Sequence, residues 1–353
     1  MLSILAGAIE LKFGINDLFW INKDLAMCKI EKFGTVTRVS ITILMDNQAN
    51  LIVKSSESIK YFQEKPLLAE HGFSALIQFG DREPSILLDG GNSQSALMEN
   101  IVRMKIAPSA INQIVLSHGH DDHHGGISKL LDAMVLQPKE KKWQPTTTID
   151  MLRQWIENRQ LPLITHPASF RERWRIADDD SKTGPFNAPP KREWEAKGAN
   201  IILSEAPYRL TDGCWTSGNI PRETDTGFSQ SKKISHKQGR LCYRENDQFL
   251  TDHLEDDQAV VVNVKNKGLV IVSGCAHAGI INTIHMAKKI SGVDRLLAII
   301  GGFHLAMDSD EELQSTIHHL KQEKPELVVP QNKSFAAFKE NHTDVNVKIL
   351  KRV

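Results

Sequence analysis

The chain has 353 residues, 41% of them hydrophobic and 24% charged, which is ordinary for a globular protein with a sizeable core and excludes disorder as its main state. Lys plus Arg and Asp plus Glu number 43 each, so no overall positive field favours nucleic acid or an anionic membrane as a partner. The four cysteines form no Cys-x-x-Cys pair, and no apolar run reaches the ~18 residues of a membrane span, so we expect a cytoplasmic protein. Its expected partner is a small-molecule substrate.

The predicted elements alternate between short strands and helices along both halves of the chain. β-Branched runs predict strands at 36–45, 74–79, 85–89 and 111–117, and helical spacing of apolar residues predicts a helix at 95–106. The second half predicts a hairpin of 258–264 and 268–273, a helix at 280–290, a strand at 296–300, a helix at 311–321 and a buried strand at 326–329. This order predicts an α/β (α+β) fold of mixed sheets with helices on their outer faces.

Two stretches differ from this alternation. Residues 1–30 match no known pattern and are taken as an N-terminal extension of unknown role, which leaves 31–353 as the main domain. Residues 137–198 open with charged residues and close with prolines, a composition that predicts an inserted cap or lid. Three tryptophans of this stretch, Trp155, Trp174 and Trp194, either line the lid over an aromatic substrate or pack it on the body.

The residues with the strongest chemical signal directly follow the predicted strand 111–117. His118, His120, Asp122 and His123 crowd into one short turn that ends in a Gly-Gly pair. Residues two apart in an extended segment project to the same side, so His118 and His120 can hold one ion while Asp122 and His123 turn toward a second position. Imidazole and carboxylate ligands suit zinc, with manganese and iron as alternatives. A solvated polar loop would not explain so many ionisable side chains after an apolar strand.

Residues 117–126 resemble the metallo-β-lactamase superfamily, whose signature is His-x-His-x-Asp-His followed closely by Gly-Gly. Further segments are similar to one branch of it: Leu-Asp-Gly-Gly at 88–91, Thr-Ser-Gly-Asn-Ile-Pro-Arg at 216–222, Asp-Gln-Ala at 257–259, Ser-Gly-Cys-Ala-His-Ala-Gly at 273–279 and Ile-Gly-Gly-Phe-His-Leu at 300–305. That branch is named for dihydropterin-6-methyl-(ribofuranosyl)aminobenzene 5'-phosphate synthases of methanopterin biosynthesis, a name also applied to bacterial hydrolases of unknown substrate. The resemblance covers about residues 70 to 330 and implies an αββα sandwich with the metals at one edge of two facing sheets.

The resemblance also implies further metal ligands. After the strand that ends at Ser273 the superfamily normally has an Asp that bridges two metals, and this branch has Cys275 and His277 there. His277 is then the third histidine of the site, and Cys275 is either a thiolate ligand or an inert buried cysteine. His304, which follows a buried strand and a Gly-Gly turn, is either a ligand or a neighbour of the ligands.

One position departs from the family. A His-Cys-Thr-Gly segment usually follows a late proline, whereas Pro330 is followed here by Gln-Asn-Lys-Ser, so Asn332 stands where a histidine is expected. If that histidine closes the second metal site, either His304 substitutes for it or the site is mononuclear. We therefore expect a tight and a loose metal in each chain.

Three more residues have predicted roles beside the ligands. Asp89 is expected to orient a metal-binding histidine through its ring N–H, with a simple turn aspartate as the alternative. Asp122 is expected to be catalytic as well as a ligand. Arg222 is a candidate clamp for a substrate phosphate, because a guanidinium matches phosphate oxygens, or else a solvated turn residue. His71 is expected to have no chemical role.

The sequence thus predicts a metal-dependent hydrolase or group transferase with one or two zinc ions as cofactor. Activation of water by the metal supports hydrolysis of an ester, lactone or phosphodiester, whereas the resemblance favours a phosphate-bearing, pterin-like substrate and transfer of its pterinylmethyl group. The alternative is a metallo-fold that has lost turnover and serves as a ligand-binding or regulatory module, suggested by Asn332 and Cys275 in place of the usual ligands.

Overall fold

The computed structural model describes residues 29–47, 65–80, 82–134, 146, 148–151, 160–224, 239–305 and 309–331. The predicted N-terminal extension lies almost wholly outside these residues, as do Trp155 and Asn332. Across the described ranges, no helix has both the length and the apolar character needed to cross a membrane.

The strands and helices predicted from the sequence occur in the predicted order, with ends that differ by a few residues, and further strands, β5 to β12, lie between them. The strands are β1 (Ser40–Met45), β2 (Ser74–Phe79), β3 (Arg82–Leu88), β4 (Gln113–Val115), β5 (Leu161–Thr165), β6 (Arg173–Ile176), β7 (Lys182–Thr183), β8 (Ala199–Leu203), β9 (Arg209–Thr211), β10 (Cys214–Thr216), β11 (Arg240–Glu245), β12 (Gln248–Thr251), β13 (Ala259–Val264), β14 (Gly268–Ser273), β15 (Leu296–Gly302) and β16 (Leu327–Gln331). The helices are α1 (Ala96–Arg103), α2 (Asp121–His124), α3 (Ile127–Ala133), α4 (Lys191–Ala196), α5 (Ile280–Ser291) and α6 (Asp310–Glu323), with 3₁₀ turns at Pro108–Ala110 and Pro167–Phe170.

Two mixed sheets of six strands face each other. The first has the order β1-β2-β3-β4-β5-β8 and the second the order β16-β15-β14-β13-β10-β9. Strands β3, β4, β5 and β8 are parallel in the first sheet, as are β14, β15 and β16 in the second. The remaining neighbours in both sheets pair antiparallel.

Apolar side chains fill the sandwich in three layers. The inner faces of the sheets enclose branched aliphatic residues such as Ile86 and Val262. Helices α1, α3 and α4 cover the outer face of the first sheet through residues that include Leu97 and Trp194, and α5 and α6 cover the second sheet through residues such as Ile284. The predicted αββα sandwich is confirmed.

The chemistry-bearing segments leave the sheets at the carboxyl ends of parallel strands. Leu88 of β3 lies opposite Val115 of β4, so Asp89 and the histidine segment emerge side by side. Ser273 of β14 lies opposite Gly301 of β15, so the segments of His277 and His304 also emerge together. The sheet order thus collects residues from distant parts of the chain at one edge, where ligands bind in sheets of this kind.

Two elements within the predicted lid 137–198 belong to the sandwich instead, strand β5 and helix α4. Strand β5 is an interior strand of the first sheet, between β4 and β8. Trp194 of α4 is fully buried, and its Nε1 donates to Ser128 Oγ at 3.0 Å. Strand β5 and helix α4 therefore belong to the body of the fold and not to an insertion on its surface.

A third, four-stranded sheet pairs part of this stretch with a later one. Its order is β12-β11-β6-β7, in which β6 lies beside β11. The ring of Trp174 on β6 lies edge-on to that of Phe249 on β12, with 5.6 Å between their centroids. Trp174 therefore packs within the small sheet.

Replacing Trp194 tests whether this stretch is part of the body. Trp194→Ala removes a fully buried side chain and the hydrogen bond to Ser128, so the free energy of unfolding should fall by about 3–5 kcal/mol. Chemical denaturation followed by circular dichroism measures the change. The matched control, Trp174→Ala on the small sheet, should cost less because that side chain is only partly buried. A loss in Trp194→Ala no larger than that in Trp174→Ala would contradict the packing of α4 on the first sheet.

Candidate metal centre

The predicted metal segment leaves β4 and turns into the short helix α2. His118 and His123 are fully buried, and His120 is partly buried. Gly119, between His118 and His120, passes so close to another loop that an added Cβ would lie 1.9 Å from the carbonyl oxygen of Ser169. Any other residue here would push the loop outward and move the histidines on both sides of it.

Three imidazole nitrogens converge at this edge, and their residues, His118, His120 and His277, form the first group of candidate ligands. His118 Nε2 lies 3.1 Å from His120 Nδ1 and 3.1 Å from His277 Nε2. Ligand atoms of all three residues lie within 4.8 Å of one another. Tetrahedral ligands at the ~2.0–2.1 Å of a zinc–nitrogen bond are about 3.3 Å apart. The spacing therefore fits a divalent transition metal between these three nitrogens.

Hydrogen bonds behind His118 fix which of its nitrogens faces the other two histidines. The Ser117 hydroxyl donates to Asp89 Oδ2 at 2.7 Å, so its oxygen is left to accept a bond from His118 Nδ1, 2.9 Å away. This assigns the ring proton to Nδ1 and leaves a lone pair on Nε2. Histidines that bind a metal commonly donate their other ring N–H to such a partner, which turns the lone pair toward the metal.

A second group of candidate ligands, Asp122, His123 and Cys275, lies directly beside the first. His123 Nε2 is 3.4 Å from Asp122 Oδ2, and Cys275 Sγ lies within 4.8 Å of ligand nitrogens of both His118 and His123. His123 Nδ1 is 2.6 Å from Asp89 Oδ2, so this ring presents its Nε2 toward the site and offers a lone pair there once that nitrogen loses its proton. Because His118 Nε2 has one lone pair to give, a second ion depends on Asp122, His123 and Cys275. Carboxylate, imidazole and thiolate are all donors that zinc accepts.

Burial keeps the first group uncharged. It lowers the pKa of His118 and of His277 well below the ordinary value, and neighbouring histidines lower both further. Burial, reinforced by the Arg173 charge, lowers the pKa of His120 to about 3. These three imidazoles are therefore neutral near pH 7 and bind a cation without first losing a proton.

The second group is charged before any cation binds. Burial alone would raise the pKa of Asp122 and lower that of His123, but their mutual attraction outweighs it, so the pKa of Asp122 falls and that of His123 rises. The Asp89 carboxylate adds to the rise for His123. Burial raises the pKa of the Cys275 thiol. A cation at this point must therefore displace protons from His123 and Cys275.

The loop of His277 is held at both ends of one peptide group. Arg222 Nη1 donates to the His277 carbonyl oxygen at 2.7 Å and Nη2 to the His253 carbonyl oxygen at 2.5 Å. Asp257 Oδ2 accepts from Ala278 N at 2.8 Å, and burial raises the pKa of Asp257 to about 6. Arg222, predicted to contact substrate, thus also supports a metal ligand, while its own side chain is exposed.

Sequence reasoning missed several groups that support the ligands. Asp256 Oδ2 accepts from Gly119 N and from Arg173 Nη2, each at 2.8 Å. A signal for them was present in the sequence, a closely spaced run of acidic residues at 252 and 255–257, just before an apolar strand. His71, expected to have no chemical role, lies at the exposed side of the second group with its Nε2 3.3 Å from Asp122 Oδ2.

His304 lies beside the first group. Its ring centroid is 4.5 Å from that of His277. It belongs to neither set of ligand atoms that come within 4.8 Å of one another in the described residues, so its role as a ligand stays a prediction. The same holds for Asn332, which lies outside those residues.

Comparisons with known proteins agree with this geometry. Residues 68–137 match the family model of the metallo-beta-lactamase superfamily. A relative from Methanocaldococcus jannaschii, named 7,8-dihydropterin-6-methyl-4-(beta-D-ribofuranosyl)-aminobenzene-5'-phosphate synthase, is 31% identical over 258 residues, which cover 72% of this chain and 78% of that protein. An uncharacterized protein of the same organism is 27% identical over 260 residues, covering 73% of this chain and 81% of its own length.

A solved structure of a metal-dependent hydrolase of the beta-lactamase superfamily has the same fold. It superposes with a TM-score of 0.60 at 18% identity and covers 89% of this chain and 97% of its own. The sandwich, the histidine segment and the 31% identical relative lead to one assignment. The chain belongs to the metallo-beta-lactamase superfamily, in the family that includes the archaeal synthase.

Proposed function

We propose that this protein is a metal-dependent enzyme that acts on a small phosphate-bearing substrate and uses zinc as its metal. The observation that carries the proposal is the convergence of three imidazole nitrogens beside a carboxylate, a fourth imidazole and a thiol at one sheet edge. The name of the 31% identical relative, a synthase of an aminobenzene 5'-phosphate compound, supports a phosphate-bearing and pterin-like substrate.

The chain's own residues divide the work at the site. A divalent metal, when bound, supplies a Lewis acid and lowers the pKa of water toward neutrality. Asp89 holds His118, through Ser117, and His123 directly in the tautomers that present Nε2. Because the pKa of Asp122 is lowered, this carboxylate stays ionised, so it accepts a proton or binds an ion and does not donate a proton.

Arg222 is placed to contribute a positive charge beside the ligands. Its bond to the His277 carbonyl oxygen puts the guanidinium next to the first group, and its side chain is exposed. Guanidinium groups bind phosphate oxygens through charge-assisted hydrogen bonds. We therefore place the substrate phosphate between Arg222 and the metal ligands.

Two reactions use these same residues and differ in the attacking group. In hydrolysis, water attacks a phosphoester and an alcohol leaves. In transfer, the nitrogen of an arylamine phosphate attacks the methylene carbon of a pterinylmethyl diphosphate, and the diphosphate leaves while the nitrogen loses a proton. Incubating the zinc-loaded protein with bis(p-nitrophenyl) phosphate, and separately with the pterin and arylamine pair, distinguishes them by mass spectrometry of the products. Turnover of neither would contradict an enzyme and favour the binding module.

Removing two ligands of the first group should empty it without unfolding the protein. His118→Ala combined with His120→Ala should lower the metal content by at least one ion per chain and abolish turnover, because two of three converging nitrogens are lost. The fold should remain because both residues lie in the loop between β4 and α2 and not in the apolar core between the sheets. Elemental analysis and circular dichroism measure the two effects. A matched control is His318→Ala with His319→Ala on the surface of α6, which should keep the metal. Full metal content in the His118→Ala, His120→Ala variant would contradict the proposal that these two residues bind a metal.

The second group predicts a role for the thiol. Cys275→Ser should weaken the looser of two ions by more than about tenfold, because a hydroxyl is a poor replacement for a thiolate. Titration with Co²⁺ reports this directly, since a thiolate ligand gives a charge-transfer band in the near ultraviolet that the variant should lack. If the natural protein binds two Co²⁺ ions per chain and shows no such band, Cys275 is an inert buried cysteine.

The phosphate assignment makes Arg222 selective for charged substrates. Arg222→Gln should raise KM for bis(p-nitrophenyl) phosphate by about tenfold or more while leaving KM for neutral p-nitrophenyl acetate nearly unchanged. Arg222→Lys, which keeps the charge, should have a KM for bis(p-nitrophenyl) phosphate between those of the natural protein and of Arg222→Gln. Both variants are assayed at saturating metal because Arg222 also holds the His277 loop. An equal rise in KM for both esters would assign Arg222 to that support alone.

A further inference from the structure

Segment 256–258, here called the bridging segment, contacts both loops that carry the first group of ligands. One loop follows β4 in the first sheet and carries His118 and His120, and the other follows β14 in the second sheet and carries His277. All three side chains of the bridging segment are nearly fully buried. It directly precedes β13, so it enters the site from the second sheet.

Its contacts with the first loop are a continuous series of hydrogen bonds. Gln258 N donates to the Ser117 carbonyl oxygen at 3.1 Å, and Gln258 Nε2 donates to that of Leu116 at 3.0 Å. Asp256 Oδ2 accepts from Gly119 N at 2.8 Å. The last bond holds the peptide group between His118 and Gly119, so it fixes the backbone on which the ligand rings are mounted.

Its contact with the second loop comes from the neighbouring residue. Asp257 Oδ2 accepts from Ala278 N at 2.8 Å, at the peptide group that follows His277. Ala276, on the other side of His277, has a φ of 53°, which is unfavourable for alanine and needs support from its surroundings. Asp257 supplies such support with a carboxylate that is 2% exposed.

We propose that Asp256 and Asp257 are positioning residues that set the distance between the two ligand loops. Because they are adjacent in the chain, the separation of their carboxylates is limited by the backbone, and so is that of Gly119 N and Ala278 N. Coordination needs ligand distances held to within about 0.2 Å, which apolar packing between two sheets does not provide by itself. Carboxylate bonds to backbone N–H groups are short and charge-assisted, so they suit this purpose.

The charge of Asp256 is compensated inside the fold. Arg173, which is 3% exposed, donates to Asp256 Oδ2 at 2.8 Å through Nη2 and to Asp252 Oδ2 at 2.7 Å through Nε. Since Arg173 lies on β6, the small third sheet is tied to the bridging segment and, through it, to Gly119. The arrangement rests on the proposed function only in requiring that the first group binds a metal.

The test measures the two ions separately in the full chain. Asp257→Asn keeps the shape of the side chain and removes its charge, so affinity for the first ion should fall by about 10- to 100-fold in competition with a chelator. The thiolate-to-cobalt band of the ion at Cys275 should stay unchanged. Asp256→Asn should lower the affinity for the same ion. The double variant should lose less affinity than the two single variants combined, because either substitution alone already releases the distance between the two ligand loops. If Asp256→Asn fails to fold, Asp257→Asn carries the test alone.

Asp252→Asn is the matched control. Asp252 is as buried as Asp256 and bonds to the same arginine, but its other oxygen accepts from Leu254 N. This variant should lower the free energy of unfolding and leave the first-ion affinity unchanged. Asp257→Asn that binds both ions as the natural protein does, or weakens both equally, would overturn the positioning role. A natural protein that binds no first ion would overturn the proposed function as well, so the two failures are distinguishable.

Discussion

One buried carboxylate, Asp89, orients a ligand in each of the two groups. Its Oδ2 accepts from the Ser117 hydroxyl, which in turn accepts from His118, and the same oxygen accepts from His123 Nδ1 at 2.6 Å. Its Oδ1 accepts from Ser117 N at 2.7 Å. Asp89 is completely buried and has a φ of 61°, a conformation that aspartate tolerates better than most residues. A buried charge is costly unless it is fully hydrogen-bonded, so the ends of β3 and β4 must meet here for the fold to form around it.

The apolar and polar parts of the molecule do different work. Aliphatic packing between the sheets brings the strand ends to one edge, but it specifies no hydrogen-bond geometry there. Buried aspartates supply that geometry by accepting hydrogen bonds from backbone N–H groups next to the candidate ligands. The three pairs are Asp89 with Ser117 N, Asp256 with Gly119 N and Asp257 with Ala278 N. Ligands supported in this way are held in place before a metal arrives, which is what preorganised sites require.

Local patterns predicted the strands, the helices and the histidine segment, and the resemblance to the superfamily implied the sandwich. Strand and helix periodicity is visible within a few residues, and His118 to His123 are contiguous. The supports are not local: Asp256 reaches Gly119 across 137 positions, and no spacing rule joins them. Strand β5 was missed for a similar reason. It is only five residues long and contains Pro162, so its place inside the first sheet is set by pairing with β4 and β8 and not by a local pattern.

The central claim is that the three converging imidazoles of His118, His120 and His277 bind a metal ion. Anomalous diffraction at the zinc absorption edge, from crystals of the zinc-loaded protein, locates such an ion independently of any activity. The account predicts a peak at about 2.0–2.1 Å from His118 Nε2, His120 Nδ1 and His277 Nε2. Crystals with no peak between these nitrogens, or with zinc only at surface histidines, would contradict it.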